Sequence, residues 1–106
     1  MQYAFAHEAL DVYQVALSVA RWIAASRFPA GCADLRDQAV RASRSVVLNV
    51  AEGRARDGDA GRHHLRIALG SAAEVSAVLD LVALLGASEQ QASLRRVGAM
   101  LARMAR

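Results

Sequence analysis

At 106 residues the chain has the size of one small domain, and a 55% hydrophobic content with only two Tyr, two Phe and one Trp calls for a core of Ala, Val and Leu. The single Pro29 leaves long stretches free to be helical, the lone Cys32 excludes an internal disulfide, and charges interrupt every apolar run before the ~18 residues of a membrane span. All 13 basic residues are arginine against 10 acids, so the net charge of +3 permits phosphate binding without requiring it.

One domain over residues 1–106 is expected, with helical segments at about 7–27, 32–53, 60–85 and 89–105. No basic-then-apolar leader opens it, so a soluble cytoplasmic protein is expected. In the first segment Asp11, Gln14, Ser18 and Arg21 gather on one side, while Val12, Tyr13, Val15, Ala16, Val19, Trp22 and Ile23 cover the rest. That apolar arc exceeds the ~100° a surface helix of a lone bundle needs, and implies a second buried surface. Phe28-Pro29 ends the segment, because proline pushes its predecessor out of helical geometry. Cys32 reads as a small residue near a helix start, not as a nucleophile.

On the second segment Gln38, Ala42, Ser45, Asn49 and Glu52 form a stripe beside the apolar set Leu35, Ala39, Val46 and Val50. Polar groups so near a core need partners, since an unpaired buried one costs about 1–3 kcal/mol. Gly53 suits the left-handed position after a helix, so the helix is expected to stop there, with Asp59 capping the next start.

The third segment has Arg62, Arg66 and Asp80 on a narrow side, between a flank of Leu65, Leu69, Val75 and Leu79 and another of Ile67, Val78, Leu81 and Leu85. Two apolar flanks imply a homo-oligomer. Glu74 falls on the second flank, so its carboxylate is expected to point inward, toward Gln38, Arg41 or Asn49. Glu52 and Glu74 with nearby amides could make an acid–base pair, but no nucleophile or Gly-rich phosphate cradle accompanies them. The favoured reading is a structural polar network of Gln38, Arg41, Ser45, Asn49, Glu52 and Glu74 that fixes helix register, with no catalytic residue and no cofactor. His63 and His64 diverge by about 100° on a helix and read as surface residues; no sequence signature of a metal site occurs. Gly86 is expected just past this helix, and Ser88 with Gln91 forms an S-x-x-Q capping box for the last one. Short connections between long helices favour an all-α, antiparallel up-down-up-down four-helix bundle.

From Arg36 to Arg66 the chain carries seven arginines and four acids, a local net +3. Arg44, Arg54, Arg56, Arg62 and Arg66 are the candidate nucleic-acid contacts, able to hold phosphates beside an exposed helix start. The competing reading is a solvated loop whose arginines pair with Asp57 and Asp59. Repetition of a weak patch around an oligomer would tilt this toward binding through avidity.

Taken in order, Phe28-Pro29, Gln38, Arg41-Ala42, Ser45, Asn49, Ala51-Glu52-Gly53, Ala68, Gly70-Ser71 and Glu74 resemble the pattern of a four-helix-bundle family. That family includes the intervening-sequence proteins of large-subunit ribosomal RNA genes and the accessory variability determinant of diversity-generating retroelements. The resemblance implies a bundle assembled into a ring-shaped homo-oligomer, commonly a pentamer, without known catalytic residues. It also implies that retroelement members are basic, bind RNA or DNA and dock on a reverse transcriptase. The acids at Asp57 and Asp59 set this chain apart from the most basic members. Small residues at Gly70 and Ser71 are expected to let helices approach closely.

Overall fold

A computed structural model describes residues 3–106: a 3-10 turn at Ala6–Ala9 and four helices, α1 Asp11–Ala25, α2 Ala33–Ala55, α3 Gly58–Leu81 and α4 Ala87–Met104. No strand occurs among the described residues, and no helix there is long and apolar enough to cross a membrane. The molecule measures 45 × 32 × 21 Å, and its thinnest dimension is about two helix diameters.

The first helix starts four residues later than the periodicity suggests. Glu8 accepts a hydrogen bond from the Phe5 backbone N–H, and Leu10 takes extended backbone (φ −82°, ψ 128°), which breaks helical geometry before Asp11. Asp11 then stands in the first turn of α1, where a carboxylate complements the helix's positive end. The helix stops at Ala25, and Ser26 Oγ donates to the Trp22 carbonyl at 2.7 Å. A turn follows in which the Cys32 N–H reaches the Pro29 carbonyl at 3.1 Å. Gly31, at φ +85°, occupies the position of that turn that a side chain resists.

Three other boundaries move. Gly53 does not end α2, which continues to Ala55 and joins α3 through Arg56 and Asp57 alone. Asp57, not Asp59, precedes α3, and its side chain makes no capping hydrogen bond. At the far end α3 stops at Leu81, because the reversal into α4 consumes the next five residues. Val82 turns extended while its side chain stays buried, a conformation that suits a β-branched residue, and Gly86 closes the turn at φ +87°. The expected Ser88–Gln91 capping box is not made. Gln91 reaches instead across to α3, where its amide donates to the Ser76 carbonyl and to Asp80, both at 2.9 Å, and its oxygen accepts from Ser76 Oγ at 2.6 Å.

The core is built from small side chains at three- and four-residue spacing. Val12, Ala16, Val19 and Ile23 of α1 meet Ala39, Ala42, Val46 and Val50 of α2; Ala68, Ala72 and Val75 of α3 and Val97 and Leu101 of α4 complete it. Ser43 is the one buried polar residue among those described, and its hydroxyl donates to the Val40 carbonyl at 3.1 Å. The exposed side of α1 is Asp11, Gln14, Ser18 and Arg21, as its wheel predicts. On α3 one apolar flank enters the core, whereas Ile67 and Leu81 of the other remain exposed and only Val78 is buried.

Candidate nucleic-acid interface

Three of the five candidate arginines surround one tight hairpin. Its tightness comes from two glycines: a Cβ on Gly53 would lie 2.8 Å from Leu65 Cγ, and one on Gly61 would lie 2.5 Å from the Arg56 carbonyl and 2.7 Å from that of Gly53. The C-terminal end of α2 and the first turns of α3 therefore pack backbone to backbone. Arg54, Arg56 and Arg62 project around this junction, with Arg54 and Arg56 exposed and Arg62 half-buried. Gly70, by contrast, is exposed and has open space where its Cβ would be, so the close approach expected there is made at Gly53 and Gly61.

The local charge is partly answered from within. Arg56 Nε donates to Glu52 Oε2 at 2.9 Å, and Arg62 pairs with Asp59. Each pair joins neighbours on one helix surface, at i,i+4 and i,i+3. The hydrogen bond and charge of Arg56 hold the Glu52 carboxyl below its usual range, and those of Arg62 do the same for Asp59. Both acids are thus ionised near neutrality and offset their arginines. Arg54 forms no ion pair among the described residues. Arg66 donates to the Ala105 carbonyl at 3.1 Å, tying α3 to the end of α4 and placing a cation where helix carbonyls are unsatisfied. Arg44 does not join the hairpin: it lies ten residues earlier on α2, about 15 Å along the axis, exposed beside Arg41 and Asp37.

Residues of the expected polar network divide as well. Ser71 Oγ of α3 donates to Ser45 Oγ of α2 at 2.8 Å, Asn49 Nδ2 donates to the same oxygen at 3.1 Å, and Asn49 Oδ1 lies 2.9 Å from His64 Nδ1. These four half-buried side chains bridge α2 and α3. Gln38, Arg41 and Glu74 are exposed and outside that chain of bonds, and Glu52 faces Arg56. Glu74 in particular corrects the inward placement. It shares a helix face with residues whose flank is only partly covered, so its carboxylate stays in water and avoids the cost of burying a charge. His64 corrects the surface placement in the opposite direction. Its ring finds a partner on the other helix, which periodicity within α3 alone does not reveal. Every buried side-chain nitrogen and oxygen among the described residues has a hydrogen-bond partner.

A sequence model of one protein family, the 23S rRNA-intervening sequence proteins, matches residues 8–104. The chain belongs to that family. No curated protein matches it. In this member of the 23S rRNA-intervening sequence family, the stretch Asn49–Gly53 performs packing and bridging: Asn49 links the two helices, and Gly53 permits their contact. The arginines that follow it are the groups presented to solvent.

Proposed function

We propose that the protein is a non-enzymatic, homo-oligomeric accessory protein that binds nucleic acid, RNA foremost, through the arginines of the α2–α3 hairpin. The observation that carries this reading is the placement of Arg54, Arg56 and Arg62 on a hairpin too tightly packed to collapse around them. Guanidinium groups on a rigid support suit phosphate, because their donors match its oxygens in pairs. The family's name, with its reference to ribosomal RNA, agrees with an RNA ligand.

An antiparallel course of α2, α3 and α4 is supported by the cross-helix bonds Asn49 to His64 and Ser45 to Ser71, and by Gln91 to Ser76 with Arg66 to Ala105. Exposed Ile67 and Leu81 on the outer flank of α3 support assembly into a ring such as a pentamer, which would repeat the hairpin and multiply weak phosphate contacts. The test is affinity for RNA and DNA against salt, for the wild type and for the triple variant Arg54→Ala, Arg56→Ala, Arg62→Ala. The variant is expected to bind more weakly and to flatten the log–log salt slope on duplex by about 1 to 3, the lower figure if Arg54 alone displaces counterions while Arg56 and Arg62 stay with their carboxylates. Equal losses from Arg95→Ala with Arg96→Ala on α4 would remove the claim of a site.

One observation favours a second reading, a scaffold for a protein partner such as a reverse transcriptase. Leu81, at the end of α3, is largely exposed, and Leu85, in the connection to α4, wholly so. Isolation of one protein after nuclease treatment, lost in Leu81→Ser with Leu85→Ser, would support it.

A further inference from the structure

Ahead of α1 the chain arranges its aromatic rings as a ladder. Tyr3 and Phe5 meet edge to face with centroids 5.1 Å apart, Phe5 stacks on His7 at 5.9 Å, and His7 leans on Tyr13 of α1 at 4.5 Å. The inner rungs are half-buried, but Phe5 is 61% and Tyr3 82% exposed. Folding alone gives no reason to hold two large rings in order and in water.

Phe5 and His7 of the ladder form one wall of a groove whose other wall is the outer face of α2, at Leu48, Ala51, Glu52 and Ala55. The groove holds about 420 Å³ and is mostly apolar, ample for one flat heterocycle. Arginines stand along the same face of α2. Arg44 is one turn before Leu48 and borders the adjoining apolar cleft that Leu48 shares, while Arg56 is one turn after Glu52. Arg44 and Arg56 lie about 18 Å apart along the axis, so a strand whose base enters the groove would meet them through phosphates of the nucleotides before and after it.

We infer that this groove takes an unpaired base of a single-stranded nucleic acid, stacked on Phe5, with phosphates of the neighbouring nucleotides on Arg44 and Arg56. Stacking needs a free base face, so a duplex cannot use the groove. Glu52 in the wall can only accept hydrogen bonds, and so suits a base edge that carries N–H donors. The inference rests on the proposed nucleic-acid function and deepens it, because a single strand would add the groove and Arg44 to the Arg56 contact it shares with a duplex.

Binding of single-stranded RNA, single-stranded DNA and duplex RNA, each of stated sequence and the single strands carrying 2-aminopurine, would be measured for the full chain and for Phe5→Ala and Phe5→Trp. Loss of a stacking ring is expected to weaken single-strand binding roughly 5- to 150-fold, to abolish the change in 2-aminopurine fluorescence, and to leave duplex affinity within about twofold. Phe5→Trp is expected to restore both single-strand readouts. Stronger binding of either single strand by the wild type would identify RNA or DNA as the ligand. Unaltered single-strand binding in Phe5→Ala beside intact duplex binding would overturn the groove and spare the wider function. Absence of binding to all three by the wild type would overturn both. A changed molecular mass of the Phe5→Ala assembly, with single-strand affinity unchanged per subunit, would overturn the inference by assigning the ladder to contacts between copies.

Discussion

Gly53 and Gly61 perform a role that a helix-ending rule does not anticipate. Both sit within helices, where glycine costs about 0.5–1 kcal/mol relative to alanine, yet each lies where a methyl group has no room. The two sites differ in what blocks them. At Gly61 the obstacles are the Arg56 and Gly53 carbonyls, which cannot move without shifting the hairpin; at Gly53 the nearest atoms belong to the Leu65 side chain. Gly61→Ala is therefore expected to destabilise by about 1–3 kcal/mol, in the range of an overpacked core. Gly53→Ala should cost less, since Leu65 can yield and the helix gains propensity. Thermal melts of the two variants check the order, and a more stable Gly61→Ala would show that the hairpin adapts. The same two residues show what the sequence made legible. A small residue before a run of arginines marks a boundary in the chain, but helix end and helix crossing carry the same local signature. Only the partner glycine eight residues on distinguishes them.

Between elements, the α2–α3 pair combines alanine-lined packing with the bridge Ser71–Ser45–Asn49–His64. Existence and order of the four helices follow from periodicity and from the Pro29 and Gly86 punctuation, so they can be read in advance. Cross-helix pairing cannot, because it depends on how the two wheels are rotated against each other. That rotation puts His64 against Asn49 and leaves Glu74 in water, the reverse of the reading from single-helix patterns. Asn49 is the hub, donating to Ser45 and facing His64, so Asn49→Ala removes bonds on both sides. A net loss of about 1 kcal/mol is expected, because the bridge is half-buried and water can replace part of it. For a chain of this size that is a fall in Tm of roughly 4–8 °C. Ser71→Ala, which touches only the end of the bridge, should cost less. Equal melting of Asn49→Ala and wild type would reduce the bridge to a surface feature.

Over the whole molecule arginines and acids nearly balance, and at the hairpin they do so by direct pairing. The formal net charge is +3, yet Glu52 and Asp59 each hold an arginine of the candidate interface, so the field presented to a polyanion is weaker than the number of arginines implies. Binding a phosphate there means exchanging a carboxylate partner for a phosphate partner. Each exposed pair is worth little in stability, so the exchange is within reach, but the retained carboxylate still repels the incoming strand. Glu52→Gln with Asp59→Asn removes that repulsion with little change in side-chain size, and raises the net charge of the chain by two. The double variant is expected to bind duplex RNA more tightly than wild type. Its log–log salt slope should steepen by up to about 2, as Arg56 and Arg62 become available to displace counterions. Folding should be little affected, because both carboxylates are solvent-exposed. Single strands divide the outcome further: Glu52 also walls the aromatic groove, so neutralising it should help phosphate contacts while leaving a weaker, uncharged acceptor for a base edge. A gain on duplex larger than on single strand would mean that Glu52 also serves the single strand as an acceptor in the groove. Equal gains on both would reduce Glu52 to an electrostatic brake, and unchanged affinity for either would mean that Arg56 and Arg62 do not meet phosphate at all.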